Sequence, residues 1–439
     1  MPYTNPTYAA VQAILKTKYP DGAIPQALYK DFPFVSLVKK TTNFDGDFRV
    51  VALQNERPQG SSSVFSTALD VATNGLAGGG GSYNRFQVYR TRHYGILRMD
   101  GETMKAAVRT SGALVDLWNN ETDGISTNEL ADLEFQLFGD GSGVRGTVSS
   151  YAVAPASRIT LATPADAVYF NLNMRIEIRD SAGAIKNPNN AGTDNSLYVK
   201  AINRTAGTID IQTRTTSGFV AATFATNPTA NDVIARAGDW LAAASIGTAT
   251  NGSANGVVTG VQAWVPSTVT ATPFWGLPRD TDPVRLAGQR VSGAGLPMNE
   301  ALMEAEAKVA VQGVGMPDTI FINPLDLQNL KKALGSDIVY DRVASNVAGI
   351  SFKAIEYDGM NGPMKIVSAP FCPRNKAFML QMASWELSTL GPAPQMLDWD
   401  NNDFLRVSGA DQYEVRFGHY GQFICNNPGA NIIVDGFGL

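Results

Sequence analysis

Arg85-Phe-Gln-Val88-Tyr-Arg90-Thr-Arg92-His-Tyr94-Gly-Ile-Leu97 decides how this chain is read, once it is set beside Phe44-Asp-Gly-Asp-Phe48-Arg-Val-Val-Ala-Leu53. Both stretches read as extended arms. A long segment rich in Gly and Ser separates them, including Ser61-Ser-Ser63 and Gly78-Gly-Gly-Gly81. The spacing predicts a two-stranded ribbon over 44–99. An isolated ribbon is marginal in water and buries almost no core. It needs a surface to lie on, and a neighbouring copy of the same chain would supply one. Phe86, Val88, Arg90, Arg92 and Tyr94 fall on one face of a continuous strand. They are read as contacts to another copy, with the arginines meeting acidic groups there. The plainer reading is solvated charge that protects an exposed edge. Phe32 and Phe34, in a tail broken by Pro2, Pro6, Pro20, Pro25 and Pro33, need a partner surface in the same way.

Composition fits a folded chain of several domains. The 439 residues are 44% hydrophobic and 17% charged, below the usual quarter, with a net charge of −5. That balance argues against a strong nucleic-acid binder. Five lysines in the first forty residues, against Asp21 and Asp31, make only that end weakly basic. The start carries no basic patch followed by an apolar core, so no secretion signal is read. Cys372 and Cys425 are therefore expected as free, buried thiols. No apolar run is long enough to span a bilayer.

Further along, Met104, Val108, Val115 and Trp118 share a helical stripe, and Leu130, Leu133 and Leu137 share a second one ending at Gly139. Asp123-Gly124 is expected to interrupt the helix between them. Residues 147–240 hold short candidate strands at 157–161, 168–170, 174–178, 197–202, 207–211 and 233–236, the pattern of a small barrel or sandwich. Residues 241–297 read as connecting loops and short strands. From 298 the texture is mixed α/β. Asn299 is expected to cap a helix stopped near Gly313. The helix after Asn323-Pro324 is well punctuated, with Asp326 in its first turn and Lys331 and Lys332 in its last. Strands are expected at 318–322, 351–355, 364–368, 377–382 and 386–390. Tyr413 to Phe423 alternates as a long half-buried strand, with Gly418 and Gly421 marking bends or close approach, and 430–434 gives one more.

No constellation selects an enzyme. Cys372 and Cys425 lie far apart in sequence, as do His93 and His419, so spacing shows no metal cluster. Asp398-Trp-Asp400-Asn-Asn-Asp403 lacks the closing Glu of a calcium loop and reads as a turn. Gly141-Ser-Gly143-Val-Arg-Gly146 matches a dinucleotide pattern by letters, but it follows a helix and precedes a β region, so it reads as a linker. No catalytic, cofactor or metal residues are assigned.

Taken in order, with Trp385-Glu-Leu-Ser-Thr-Leu-Gly-Pro, Asn402-Asp-Phe-Leu-Arg406 and Tyr413-Glu-Val-Arg-Phe-Gly-His-Tyr-Gly-Gln-Phe near the end, the pieces resemble the major capsid protein of tailed bacteriophages, the Hong Kong 97-type coat fold. Its order of arm, extended loop, spine helix, axial domain and closing peripheral strands resembles 1–43, 44–99, 100–140, about 270–395 and 396–439 here. The resemblance implies an α+β chain divided into an N-terminal arm (1–43), an extended β-loop (44–99), a spine helix of the peripheral domain (100–146), an inserted small β-barrel or β-sandwich (147–240), connecting loops (241–297), an axial α/β domain (298–395) and peripheral strands (396–439). It implies a non-enzymatic homo-oligomer. Hexamers and pentamers would form an icosahedral shell around double-stranded DNA, touching it weakly and without specificity, in a virion assembled in the host cytoplasm and away from membranes. A separate scaffolding protein, a portal and a cement protein are the implied partners. Some members join subunits through a loop lysine. No lysine occurs between Lys40 and Lys105, so that bond is not expected from this loop. Gly46, Gly95 and Gly101 are the expected hinges between quasi-equivalent positions. Two other readings stand beside this one: a β-rich binding module or adhesin built on 147–297, and an enzyme built on 298–395.

Overall fold

The computed structural model describes residues 32–54, 56–75, 80–81, 83–102, 117–153, 157–186, 193–215, 218–248, 256–334, 355–360, 362–397 and 405–437. Most of the N-terminal arm, the stripe from Met104 to Val115 and the 398–403 turn lie outside the described residues.

The long strand Gln412–Cys425 is the axis of the first sheet. One edge pairs antiparallel with Thr91–Asp100. The other is taken in turn by Leu405–Arg406, Gln395–Met396 and Trp385–Thr389. Lys39–Thr41 then adds in parallel to Trp385–Thr389. The sequence predicts a half-buried strand here, yet most of its residues, polar Glu414 and Gln422 included, are buried. Both edges are paired, and other segments bind its polar groups. Thr259 N–H donates to Gln422 Oε1 at 2.8 Å, and Trp264 Nε1–H donates to the Phe423 carbonyl at 3.1 Å. Gly418 and Gly421 permit close approach: a Cβ would lie 2.4 Å from the His93 carbonyl oxygen and 2.6 Å from that of Ser388.

The helix Leu117–Phe138 runs straight through Gly124, where the sequence suggests a break. Nothing approaches that glycine, so its cost is only the ordinary helix penalty. Leu133 and Leu137 are buried as the periodicity predicts, and so are Glu129, Asp132, Glu134 and Gln136. The C-terminal half is thus enclosed on polar as well as apolar sides.

A second sheet has the order Gln289–Ser292, Ile432–Asp435, Lys376–Leu380, Thr319–Ile322, Gly362–Ser368, Ile355–Gly359. The helices Met298–Gln312 and Pro324–Leu334 supply Leu302, Ala305, Val309, Leu327 and Leu330 to its core. Asn323 caps as expected, its Oδ1 accepting from Leu325 N–H at 3.1 Å. Asp326 turns inward, fully buried, and accepts from Arg374 Nε and Asn375 N–H, each at 2.9 Å. The helix before it starts at Met298 with Pro297 in the cap position, so Asn299 is not its cap. The two sheets exchange strands. Ile432–Asp435, read as peripheral, lies in the α/β sheet, and Trp385–Thr389, read as axial, lies in the first.

The β-rich stretch closes on itself. Val144–Ala152, Arg158–Leu161, Thr208–Thr215, Thr193–Asn203, Arg175–Arg179 and Val233–Arg236 pair round a ring, with Gly218–Ala221 on the outside of Thr208–Thr215. Alternate residues, among them Ile159, Leu161, Ile176, Ile178, Ile209 and Ile211, fill it. The expected strand at 168–170 is instead the end of a 3-10 turn, Pro164–Tyr169, which plugs Phe170 into the core. The expected linker at 141–146 is also ordered. Gly141 and Gly143 take positive φ, and Arg145 and Gly146 already belong to the first barrel strand.

Candidate assembly surface and buried polar centre

The ribbon forms with Phe48–Gln54 paired to Tyr83–Tyr89. It does not continue to Leu97. The chain changes sheets at Arg90, and Thr91–Asp100 pairs with the long strand instead. That switch reverses which alternate residues face inward. Phe86 and Val88 are fully buried, whereas Arg92 and Tyr94 are exposed on another sheet. The five residues therefore share no face.

The ribbon also rests on its own chain. Phe86 packs edge-on against Trp264, ring centroids 5.2 Å apart, and Gln87 N–H donates to the Trp275 carbonyl at 2.8 Å. Residues 257–277, read as connecting loops, form this platform: Val258, Val261, Trp264, Val265, Phe274 and Trp275 are all buried. At the ribbon base Arg49 pairs with Glu386 and donates to Asn43 at 2.6 Å and Ser388 at 2.7 Å. Arg90 donates to the Phe44 carbonyl at 3.0 Å. Near the tip Arg285 meets Glu56 at 2.6 Å. Phe32 and Phe34 are internal as well, Phe34 lying 4.6 Å from the Phe321 ring and 4.7 Å from the Phe138 ring. Phe32, Phe34, Phe86 and Val88 are thus core residues with no surface left for another copy. Their apolar character was legible, but the identity of the buried partner was not.

What the ribbon leaves free is its outer face and the connection. Phe48, Val50 and Tyr83 are exposed on the outer face. The connection forms a helix, Phe65–Asn74, that buries none of its residues. Val64, Phe65 and Leu69 make an apolar strip there, with Phe65 81% exposed. Residues i and i+4 share one side of a helix, which the sequence could have shown had the Gly/Ser texture around it not suggested loop.

The expected hinges divide. Gly46 has φ +83° and open space around it. Gly95 lies within a paired strand, and a Cβ there would sit 2.6 Å from Glu129 Oε1, so it serves close packing rather than bending. A Cβ at Gly101 would stand 3.0 Å from the Asp411 carboxylate.

The buried face of the helix Leu117–Phe138 carries three linked polar groups. Glu134 accepts from the N–H groups of Phe34 and Val35 at 3.1 and 2.7 Å, tying the short helix Pro33–Leu37 to the long one. Burial pushes its carboxyl up to about 7, and the two N–H donors only partly offset that. Asp132 binds Arg145 at 2.8 Å and also contacts Arg236, both from the barrel. Burial would raise Asp132, but the two guanidinium groups outweigh it and hold the carboxyl below its ordinary value. Glu129 meets His93 Nδ1 at 2.5 Å, and the His419 ring stacks on His93 with centroids 5.5 Å apart. Burial would lower His93, but the Glu129 hydrogen bond and charge prevail and raise it. Burial, with the nearby His93 charge, pulls His419 down to about 3. Sequence spacing shows no His cluster, yet the strand pairing places the two histidines directly opposite each other.

Both thiols are buried. Burial pushes Cys372 well above its ordinary value and Cys425 up to about 12, which leaves little thiolate for nucleophilic attack. Among the described residues no helix is long and apolar enough to cross a membrane.

A ribbon pinned along one face, a long helix packed against a long-stranded sheet, and a second α/β sheet make up the Hong Kong 97-type coat fold. The solved capsid protein of cyanophage A-1(L) superposes with a TM-score of 0.53 at 11% identity, covering 97% of this chain and 98% of that one. Weaker similarities reach a solved chain of Mycobacterium phage Adephagia (TM-score 0.45, 10% identity, 99% and 98% covered) and the SrpI encapsulin of Synechococcus elongatus (0.45, 9%, 98% and 95%). A family model described as SU10 major capsid protein matches residues 195–403. Over that stretch the chain is similar to a phage major capsid protein, and it shares the coat fold of the cyanophage capsid chain along nearly its whole length. No curated protein matches it. The binding-module or adhesin reading is not favoured.

Proposed function

We propose that the chain closes into an icosahedral shell of hexamers and pentamers around double-stranded DNA, with the helix Phe65–Asn74 and the outer ribbon face lying on a neighbouring copy. The apolar strip at Val64, Phe65 and Leu69, exposed at the end of a ribbon whose other face is pinned, carries this reading. Apolar surface of this kind is stabilised by burial at roughly 25 cal/mol per Å². Association entropy opposes each contact, so a closed lattice adds up contacts that are individually weak. Arg92, Tyr94 and Ile96, exposed on the peripheral sheet, offer a second contact face, and Gly46 a hinge at the ribbon base. The barrel at 144–236 acts as an inserted domain. It is tied to the spine helix through Asp132, Arg145 and Arg236. A net charge of −5 supports a container that contacts DNA weakly. The role is structural, not enzymatic. A scaffolding protein, a portal and a cement protein complete assembly, which takes place in the host cytoplasm.

Negative-stain microscopy and analytical ultracentrifugation of the purified chain, with and without residues 57–80, test the reading. Shells, rings or tubes from the full chain and only small species from the shortened one support it. Ordered shells from the shortened chain would refute the role given to the loop.

A further inference from the structure

The chain holds two histidines, 326 positions apart (419 − 93), and the fold spends both on one spot. His93 and His419 face each other across neighbouring strands, and Glu129 reaches them from the spine helix through the space left by Gly95. His93, Glu129 and His419 are 9%, 2% and 2% exposed. One ligand atom from each lies within 4.8 Å of the others. Both ring nitrogens of His419 lack a hydrogen-bond partner among the described residues. A neutral imidazole carries one donor and one acceptor, and burying them unpaired is costly. A cation between the three groups would satisfy one of those nitrogens directly.

We propose that His93, Glu129 and His419 form a divalent transition-metal site of the zinc class. Two imidazoles and a carboxylate are a common donor set for Zn²⁺, with water as a fourth ligand. Metal–ligand bonds of about 2.0–2.1 Å place tetrahedral ligand atoms about 3.4 Å apart. His93 Nδ1 and Glu129 Oε2, at 2.5 Å, therefore open slightly, and His419, whose ligand atom lies within 4.8 Å of both, closes by up to about 1.4 Å. Asp132 and Asp239 lie close enough to act on His93 electrically, and Arg145 and Arg236 offset their charge. The metal would staple the strand Thr91–Asp100, the strand Gln412–Cys425 and the spine helix at one point. Its role is structural, because the centre is enclosed.

The purified chain is freed of metal with chelator and titrated with Co²⁺, then with Zn²⁺, in the unassembled form. The proposal expects one equivalent of Co²⁺ to give the visible bands of a four-coordinate site, displaced by Zn²⁺, and Zn²⁺ to raise the thermal midpoint. His419→Gln and Glu129→Gln each remove a direct ligand and should weaken binding by more than the roughly 10–100-fold that loss of an outer-shell partner costs. X-ray absorption on the zinc-loaded wild-type chain, which needs no variant, should count two imidazole ligands. The proposal is overturned if the wild-type chain takes up no Co²⁺ or Zn²⁺ at micromolar concentration. Absorption data without histidine ligands, or unchanged affinity in both folded variants, would overturn it equally.

Discussion

Glu134→Gln separates the charge of a buried carboxyl from its shape. Glu134 sits fully buried, takes two backbone N–H donors from the Pro33–Leu37 helix, and has its carboxyl pushed from 4.5 to about 7 by burial. The folded value lies above the unfolded one, so the group's stabilising contribution is complete below pH 4.5. As pH rises, the unfolded chain releases its proton while the folded chain holds it until about pH 7. Stability is lost at up to about 1.4 kcal/mol per pH unit across that window, about 3 kcal/mol in all, and levels off above it. Glutamine keeps an acceptor for one N–H and does not titrate. Guanidinium unfolding of the unassembled chain at several pH values between 4 and 8, for both proteins, isolates the effect, because every other titrating group is common to the two. Relative to wild type, the variant should gain about 3 kcal/mol between pH 4.5 and 7. At low pH it should be the less stable protein, since one buried N–H loses its acceptor at a cost of about 1–3 kcal/mol. Parallel pH curves for the two proteins would refute the claim that Glu134 is held protonated by burial.

Phe65→Asp combined with Leu69→Asp should abolish shell formation in sedimentation and electron microscopy. Unfolding of the free chain should move by no more than about 0.5 kcal/mol, because neither side chain is buried. Arg145→Met should destabilise by about 3–5 kcal/mol in denaturant unfolding, since Asp132 loses a partner while remaining fully enclosed. Gly260→Ala should cost at least about 1–3 kcal/mol by thermal unfolding. A Cβ there would stand 2.2 Å from the Gln136 carbonyl oxygen and 2.4 Å from that of Leu137. Cys372 and Cys425 should resist a thiol reagent at pH 8 in the native chain and react fully in denaturant, and prompt labelling would contradict their burial.

The sequence determined whatever is written in local period and punctuation. Leu130, Leu133 and Leu137 announce the spine helix. Asn323-Pro324 announces the start of the helix that follows Thr319–Ile322, and the alternation at Arg175–Arg179 and Thr208–Thr215 announces barrel strands. Those signals come from geometry that repeats every few residues, so a window shows them. Tertiary structure alone decided which surface each apolar face meets. Phe34 and Phe86 call for burial, but only the fold shows that Phe138 and Trp264 of the same chain provide it. The change of sheets at Arg90 lies in pairing partners some 300 residues away, and it reversed the facing of every residue to Leu97. For the same reason His93 and His419 carried no visible relation. No turn joins these two strands, so their register is fixed by which faces are buried in the assembled sheet, where a slip of one residue would turn every side chain over.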